Sequence, residues 1–141
     1  MSSLSLTQAR AVLDGALQAA RQSGFKPMGV VVVDAAAQVV ASAREDGATA
    51  LRLDIALGKA AGSVGMGTNS RALAERAKSL PAFFSAIAAT AGQKFNPQTG
   101  AVLITDANGQ VLGAAGASGG TGDEDEQIVI AGIAAAGLRH A

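Results

Sequence analysis

Gly113-Ala-Ala-Gly-Ala-Ser-Gly-Gly-Thr-Gly-Asp-Glu-Asp-Glu-Gln127 carries a strand into a glycine-rich turn and out into a helix. Five glycines in the ten positions 113–122 need a local reason, because glycine reaches backbone angles closed to other residues and lets other groups approach the main chain. Thr121-Gly-Asp-Glu124 has the spacing of a capping box, and Ile128, Ala131, Gly132 and Ala135 follow at helical intervals. The free N–H groups of that first helical turn face whatever sits at the loop. The stretch is therefore the candidate site.

Upstream of it, Ala101 to Thr105 and Gln110 to Ala115 read as a hairpin joined by Asp106-Ala-Asn-Gly109, in which Asn-Gly carries the positive φ angles of a tight turn. Gln93 to Gly100 has no periodicity and reads as a loop. Pro81 to Thr90 and Ser70 to Lys78 read as short helices, and Leu53, Leu57, Ala60, Ala61 and Val64 define a longer amphipathic one that ends in the glycines at 65 and 67. Met28 to Asp34 and Gln38 to Ala43 form another hairpin, since strands so close in sequence pair antiparallel. Ser5-Leu-Thr-Gln8 is a second capping box, opening a helix that Gly24 stops. The order is helix, hairpin, helices, hairpin, helix. Strands in adjacent pairs predict an α+β fold, an antiparallel sheet made of two hairpins and flanked by helices, with residues 1–141 as one domain.

Composition limits the functions. The 141 residues hold no cysteine, which excludes a disulfide framework, thiol catalysis and thiolate metal sites. Eleven basic residues balance eleven acidic ones, so no basic field draws nucleic acid or an anionic membrane. No run approaches the roughly 20 apolar residues that span a bilayer, and no leader pattern opens the chain. The expectation is a soluble, cytoplasmic protein. Four phenylalanines are its only aromatic residues, so the core is built from Ala, Val, Leu and Ile, and the apolar surplus fits either subunit burial in a homo-oligomer or an alanine-rich composition alone.

The glycine loop invites a nucleotide reading, but Gly122 is followed by Asp123 rather than Lys-Ser/Thr, and the carboxylates of residues 123–126 would repel a phosphate. A small carboxylate or polar ligand held by Ser118, Gly119, Gly120 and Thr121 suits the stretch better. The acidic run has a structural explanation in the helix dipole, and a functional alternative as a hard-cation or iron site, because Asp123 and Glu126 share a helix face. Lys59, five residues after Asp54 among apolar neighbours, is either a snorkelling surface lysine or a base, nucleophile or carboxylate anchor. His140, the single histidine, stands near the end of the chain where disorder is expected, and no Ser-His-Asp or Cys-His set can be assembled.

Met28-Gly-Val-Val-Val-Val-Asp34, Arg44 with Asp46-Gly-Ala48, Asp54-Ile-Ala-Leu-Gly-Lys-Ala60 and Gly109-Gln-Val-Leu-Gly-Ala-Ala-Gly-Ala-Ser-Gly-Gly-Thr-Gly122 with Asp125-Glu126 resemble the GlcG/HbpS, or haem-degrading domain, family. The resemblance runs along nearly the whole chain and is most specific in its last block. It implies a profilin-like fold, assembly into homo-oligomers, and binding of haem or a related tetrapyrrole; a related domain accompanies PduO-type corrinoid adenosyltransferases. Within it Arg44, Asp54, Lys59 and residues 118–121 would form the ligand site, with Lys59 and Arg44 meeting a ligand carboxylate. The sequence departs from the family where Ala36-Ala-Gln38 replaces the usual glycines, and it supplies no histidine before His140. Haem would then be held without histidine, or iron taken by Asp123 and Glu126. The alternative is an enzyme acting on a small carboxylated or carbonyl metabolite, with Lys59 as the candidate catalytic residue beside the 118–121 loop.

Overall fold

The computed structural model describes residues 3–92 and 94–141; Gln93, the first residue of the expected loop, lies outside them. Among the described residues, α1 (Leu6–Ser23) leads to the hairpin β1 (Gly29–Asp34) and β2 (Val39–Arg44). Three helices follow: α2 (Arg52–Met66), α3 (Ser70–Ser79) and α4 (Pro81–Thr90). The second hairpin, β3 (Ala101–Thr105) and β4 (Val111–Ser118), runs into α5 (Gly122–Ala135), and β5 (Arg139–His140) closes the chain. The strands form one antiparallel sheet in the order β2-β1-β4-β3-β5. The two hairpins are thus joined through β1 and β4, from Gly29 opposite Ser118 to Asp34 opposite Gly113. This is the expected α+β architecture.

Both capping boxes form. Ser5 Oγ accepts from Gln8 N at 3.1 Å while Gln8 Oε1 accepts from Ser5 N at 3.0 Å. Each end satisfies two donors that the first helical turn would otherwise leave unpaired. The buried faces of α1 and α5 pack on one side of the sheet against Val30, Val32, Val102, Ile104, Ala115 and Ala117. On the other side α2 lays Ala56 and Ala60 on Val31, Val33, Leu103 and Ala114. The β1 run Val30 to Val33 therefore alternates between two cores and is buried throughout. Hydrophobic transfer favours such residues by about 1.5–3 kcal/mol each.

The sheet has unlike edges. On β3, Ser70 Oγ accepts from Ala101 N and donates to Ala101 O, and Asn69 Oδ1 accepts from Leu103 N. Ala141 N donates to Leu103 O, and β5 pairs with Ile104 and Thr105. That edge is sealed. At the opposite edge β2 runs half exposed with its outer side open, and Val39 is exposed there. His140, expected to be disordered, sits in β5 opposite Ile104, though its side chain stays exposed.

Two details differ from expectation. β4 extends three residues beyond Ala115, so Gly116, Ala117 and Ser118 are strand rather than turn. They continue the ladder with β1, from Gly116 opposite Val31 to Ser118 opposite Gly29, and glycine at 116 lets α2 lie close on the sheet, since a Cβ there would stand 2.6 Å from Ala56 O. In the second turn, Gly109 alone takes a positive φ, at 80°, and Asn108 does not. The first turn follows the same plan. Asp34 Oδ1 accepts from Ala36 N and Gln38 N as Asp106 Oδ1 accepts from Asn108 N and Gln110 N, and each hairpin shifts register beside its turn. These are type I turns ending in a left-handed residue. In the first that residue is Ala37, at φ 61°, a conformation that costs an L-residue about 1–2 kcal/mol. Ala37→Gly is expected to raise the unfolding free energy by about 0.5–1 kcal/mol, less than the full strain because glycine also gains entropy in the unfolded chain. Urea melts of the two proteins give the difference directly; an unchanged or lower midpoint would refute it.

Candidate functional site

Four segments converge at the end of the sheet where β4 passes into α5. From α2, Arg52, Ile55 and Lys59 stand three and seven residues apart and share one helix face. From the other layer comes Asp125, in the first turn of α5. Lys59 Nζ reaches past the sheet end to Asp125 Oδ2 at 3.0 Å, and also donates to Ala117 O at 3.0 Å. The two side chains are 4% and 3% exposed. Gly100 opens the passage, since a Cβ there would lie 2.7 Å from Lys59 Nζ.

The remaining polar groups close a network. Asp125 Oδ1 accepts from Gly120 N at 2.9 Å, and Glu124 Oε1 accepts from Thr121 N at 2.9 Å. Thr121 Oγ1 accepts in turn from Glu124 N. The loop N–H groups of Gly120 and Thr121, expected to face a ligand, are thus bound to carboxylates of the same helix. Burial pushes the Asp125 carboxyl up, against the pull of Lys59, the Gly120 N–H and Arg52. Arg52 donates from Nη1 to Ser118 Oγ at 3.2 Å, and among the described residues it forms no ion pair.

Two clefts flank the loop. One, of about 340 Å³, lies between α2, Ala74 of α3 and the loop, and is lined by Arg52, Ile55, Lys59, Gln98, Ser118 and Gly120. The other, of about 370 Å³, opens on the far side, with Phe25, Lys26, Arg52, Gly119, Gly120 and Thr121 in its walls. Arg52 and Gly120 belong to both, so these two residues lie between the clefts.

The expected site residues therefore divide. Lys59, Ser118, Gly119, Gly120 and Thr121 come together at the clefts. Arg44 lines a separate cleft with Arg21 and Asp46, and donates to Ala48 O at 2.6 Å. Asp54 is exposed, two residues from Arg52 and off the face that carries Lys59. Asp123 and Glu126 both hold Arg71 of α3, whose guanidinium Glu126 and then Asp123 push further up. Among the described residues, no group of three or more His, Cys, Asp or Glu is placed to share a cation. Arg52 and Asp125 are the residues that sequence reasoning missed. The available signal was the seven-residue spacing from Arg52 to Lys59; Asp125 had none of its own within the acidic run.

A family model described as haem degrading protein, HbpS-like, matches residues 4–134. The fold is similar to the crystal structure of a PduOC:heme complex, with 24% identity over 98% of each chain and a TM-score of 0.86. It is similar to a double mutant of Streptomyces reticuli HbpS, with 27% identity, 95% of this chain and 87% of that one covered, and a TM-score of 0.81. Klebsiella pneumoniae protein ORFY matches at 21% identity over 97% and 92% of the two chains, with a TM-score of 0.86. No curated protein sequence matches the chain.

Lys59→Met is expected to cost about 3–5 kcal/mol, the usual penalty for orphaning a buried charge. Adding Asp125→Asn should recover much of it, because the amide oxygen still accepts from Gly120 N and no charge remains. In Lys59→Met alone the carboxyl rises further. Its deficit should be full at neutral pH and shrink as pH falls through that raised value toward about 4, where the unfolded group also protonates. Denaturant melts across pH decide it; a deficit that grows toward acid would show the pair has been misread.

Proposed function

Because the chain belongs to the HbpS-like family of haem-degrading proteins, we propose that it binds haem or a closely related tetrapyrrole in the paired clefts beside residues 118–121. The supporting observation is their arrangement: clefts of about 340 and 370 Å³ lie beside the loop and share Arg52 and Gly120 in their walls, so one guanidinium borders both. One relative, PduOC, forms a complex with haem. The donor set here fits the carboxylate edge of such a group, through Arg52 and Lys26. It does not fit the iron, because among the described residues no histidine, cysteine or methionine lines either cleft. The reading is of a binding protein that holds the ligand by its carboxylates and its flat face. A base role for Lys59 would require a free amine, whereas this one is buried against Asp125 and Ala117 O.

Self-association belongs to the same proposal. Leu6, Val39, Leu51, Leu80 and Phe83 are each 46% exposed or more, and β2 offers an open sheet edge. A native mass equal to one chain would remove this part.

Titration of the purified protein with haemin, followed by absorbance, is expected to saturate at one ligand per chain. Iron-free protoporphyrin IX should bind within about tenfold as tightly, as ligation through a histidine plays no part. Gln98→Trp, at an exposed position in one cleft wall, should weaken both by about tenfold. The reading fails if neither tetrapyrrole saturates, and its location fails if Gln98→Trp binds like the parent.

A further inference from the structure

We infer that Arg52 is the carboxylate-selecting residue of this site, and that a ligand carboxylate reaches it by displacing the Ser118 hydroxyl. The inference deepens the reading above and rests on the same clefts. It follows from counting the donors that remain. Four cations surround the loop. Lys59 is buried and neutralised by Asp125, and Arg71 is taken by Asp123 and Glu126. Lys26 is exposed, a flexible point charge in water. The main-chain donors of Gly120 and Thr121 are spent on Asp125 and Glu124.

Arg52 differs from all of these. It is half-buried, it forms no ion pair among the described residues although Asp125 feels its charge and Glu124 shares a cleft with it, and its hydrogen bond goes to a neutral hydroxyl at 3.2 Å. A guanidinium has five N–H groups in a fork that matches a carboxylate with two parallel bonds. Exchanging a long bond to a hydroxyl for a charge-assisted pair favours the ligand, and Arg52 borders both clefts. The Arg52–Ser118 contact thus works as a partition between the two clefts, which a carboxylate opens by turning the guanidinium toward itself.

The test compares protoporphyrin IX with its dimethyl ester, which has the same ring and no charge, by fluorescence titration. The parent protein is expected to prefer the free acid by about tenfold or more. Arg52→Gln should bind the two forms equally, and Arg52→Lys should fall between, keeping the charge without the fork. Ser118→Ala should bind the free acid more tightly than the parent, because the competing hydroxyl is gone. Thermal melts of each variant confirm that the fold is kept. A preference that survives in Arg52→Gln overturns the inference while leaving tetrapyrrole binding intact, and a Ser118→Ala protein that binds more weakly overturns the displacement. Should neither porphyrin bind, the probe becomes benzoate, followed by the NMR signal of the Arg52 Nε–H. A saturable shift keeps the inference and discards the tetrapyrrole; an unmoved signal discards both.

Discussion

The Lys59–Asp125 pair is the contact on which the rest of this end of the molecule depends. It joins α2, on one face of the sheet, to α5, on the other, past the end of the strands. A buried ion pair recovers its desolvation only when the remaining lone pairs and protons are matched. Here each ion has one further match: the ammonium also meets Ala117 O, and the carboxylate also meets Gly120 N. Those two matches lie on either side of residues 118 and 119. The pair therefore sets the path of the glycine loop as well as the separation of the layers, and it fixes where Ser118 stands relative to Arg52.

Much of this was legible in local chemistry. The serine and threonine caps and the valine run of β1 each act over a few residues, and each produced the expected element. The end of β4 was not legible. Gly116-Ala-Ser118 has the composition of a flexible turn, yet the same small residues suit a strand crowded by a helix on one face, and only the neighbouring layer tells the two apart. Asp125 was hidden for another reason. Four successive acids at a helix start are accounted for by the dipole and the cap, so nothing local marks the one that turns inward to a lysine 66 positions away.

The site was partly legible. The loop and Lys59 were found, but their roles change once their partners are seen: N–H groups that look available to an anion are already matched, and a lysine that looks reactive is tied to both layers. Positive charge at the clefts passes instead to Arg52, which lies in the same helix and carries no sequence signature beyond its spacing. Arg44 has the right charge and lies in another cleft, because β2 carries it at the sheet edge with β1 between it and β4.

The unlike edges of the sheet bear on how copies of the chain can add to one another. With β3 closed by Asn69, Ser70, β5 and Ala141, and β5 itself only two residues long, β2 is the one edge among the described strands long enough to template another. A second copy that adds there uses up that edge of both, so the reaction terminates at a pair, and fibre growth by edge addition lacks the second site that propagation needs.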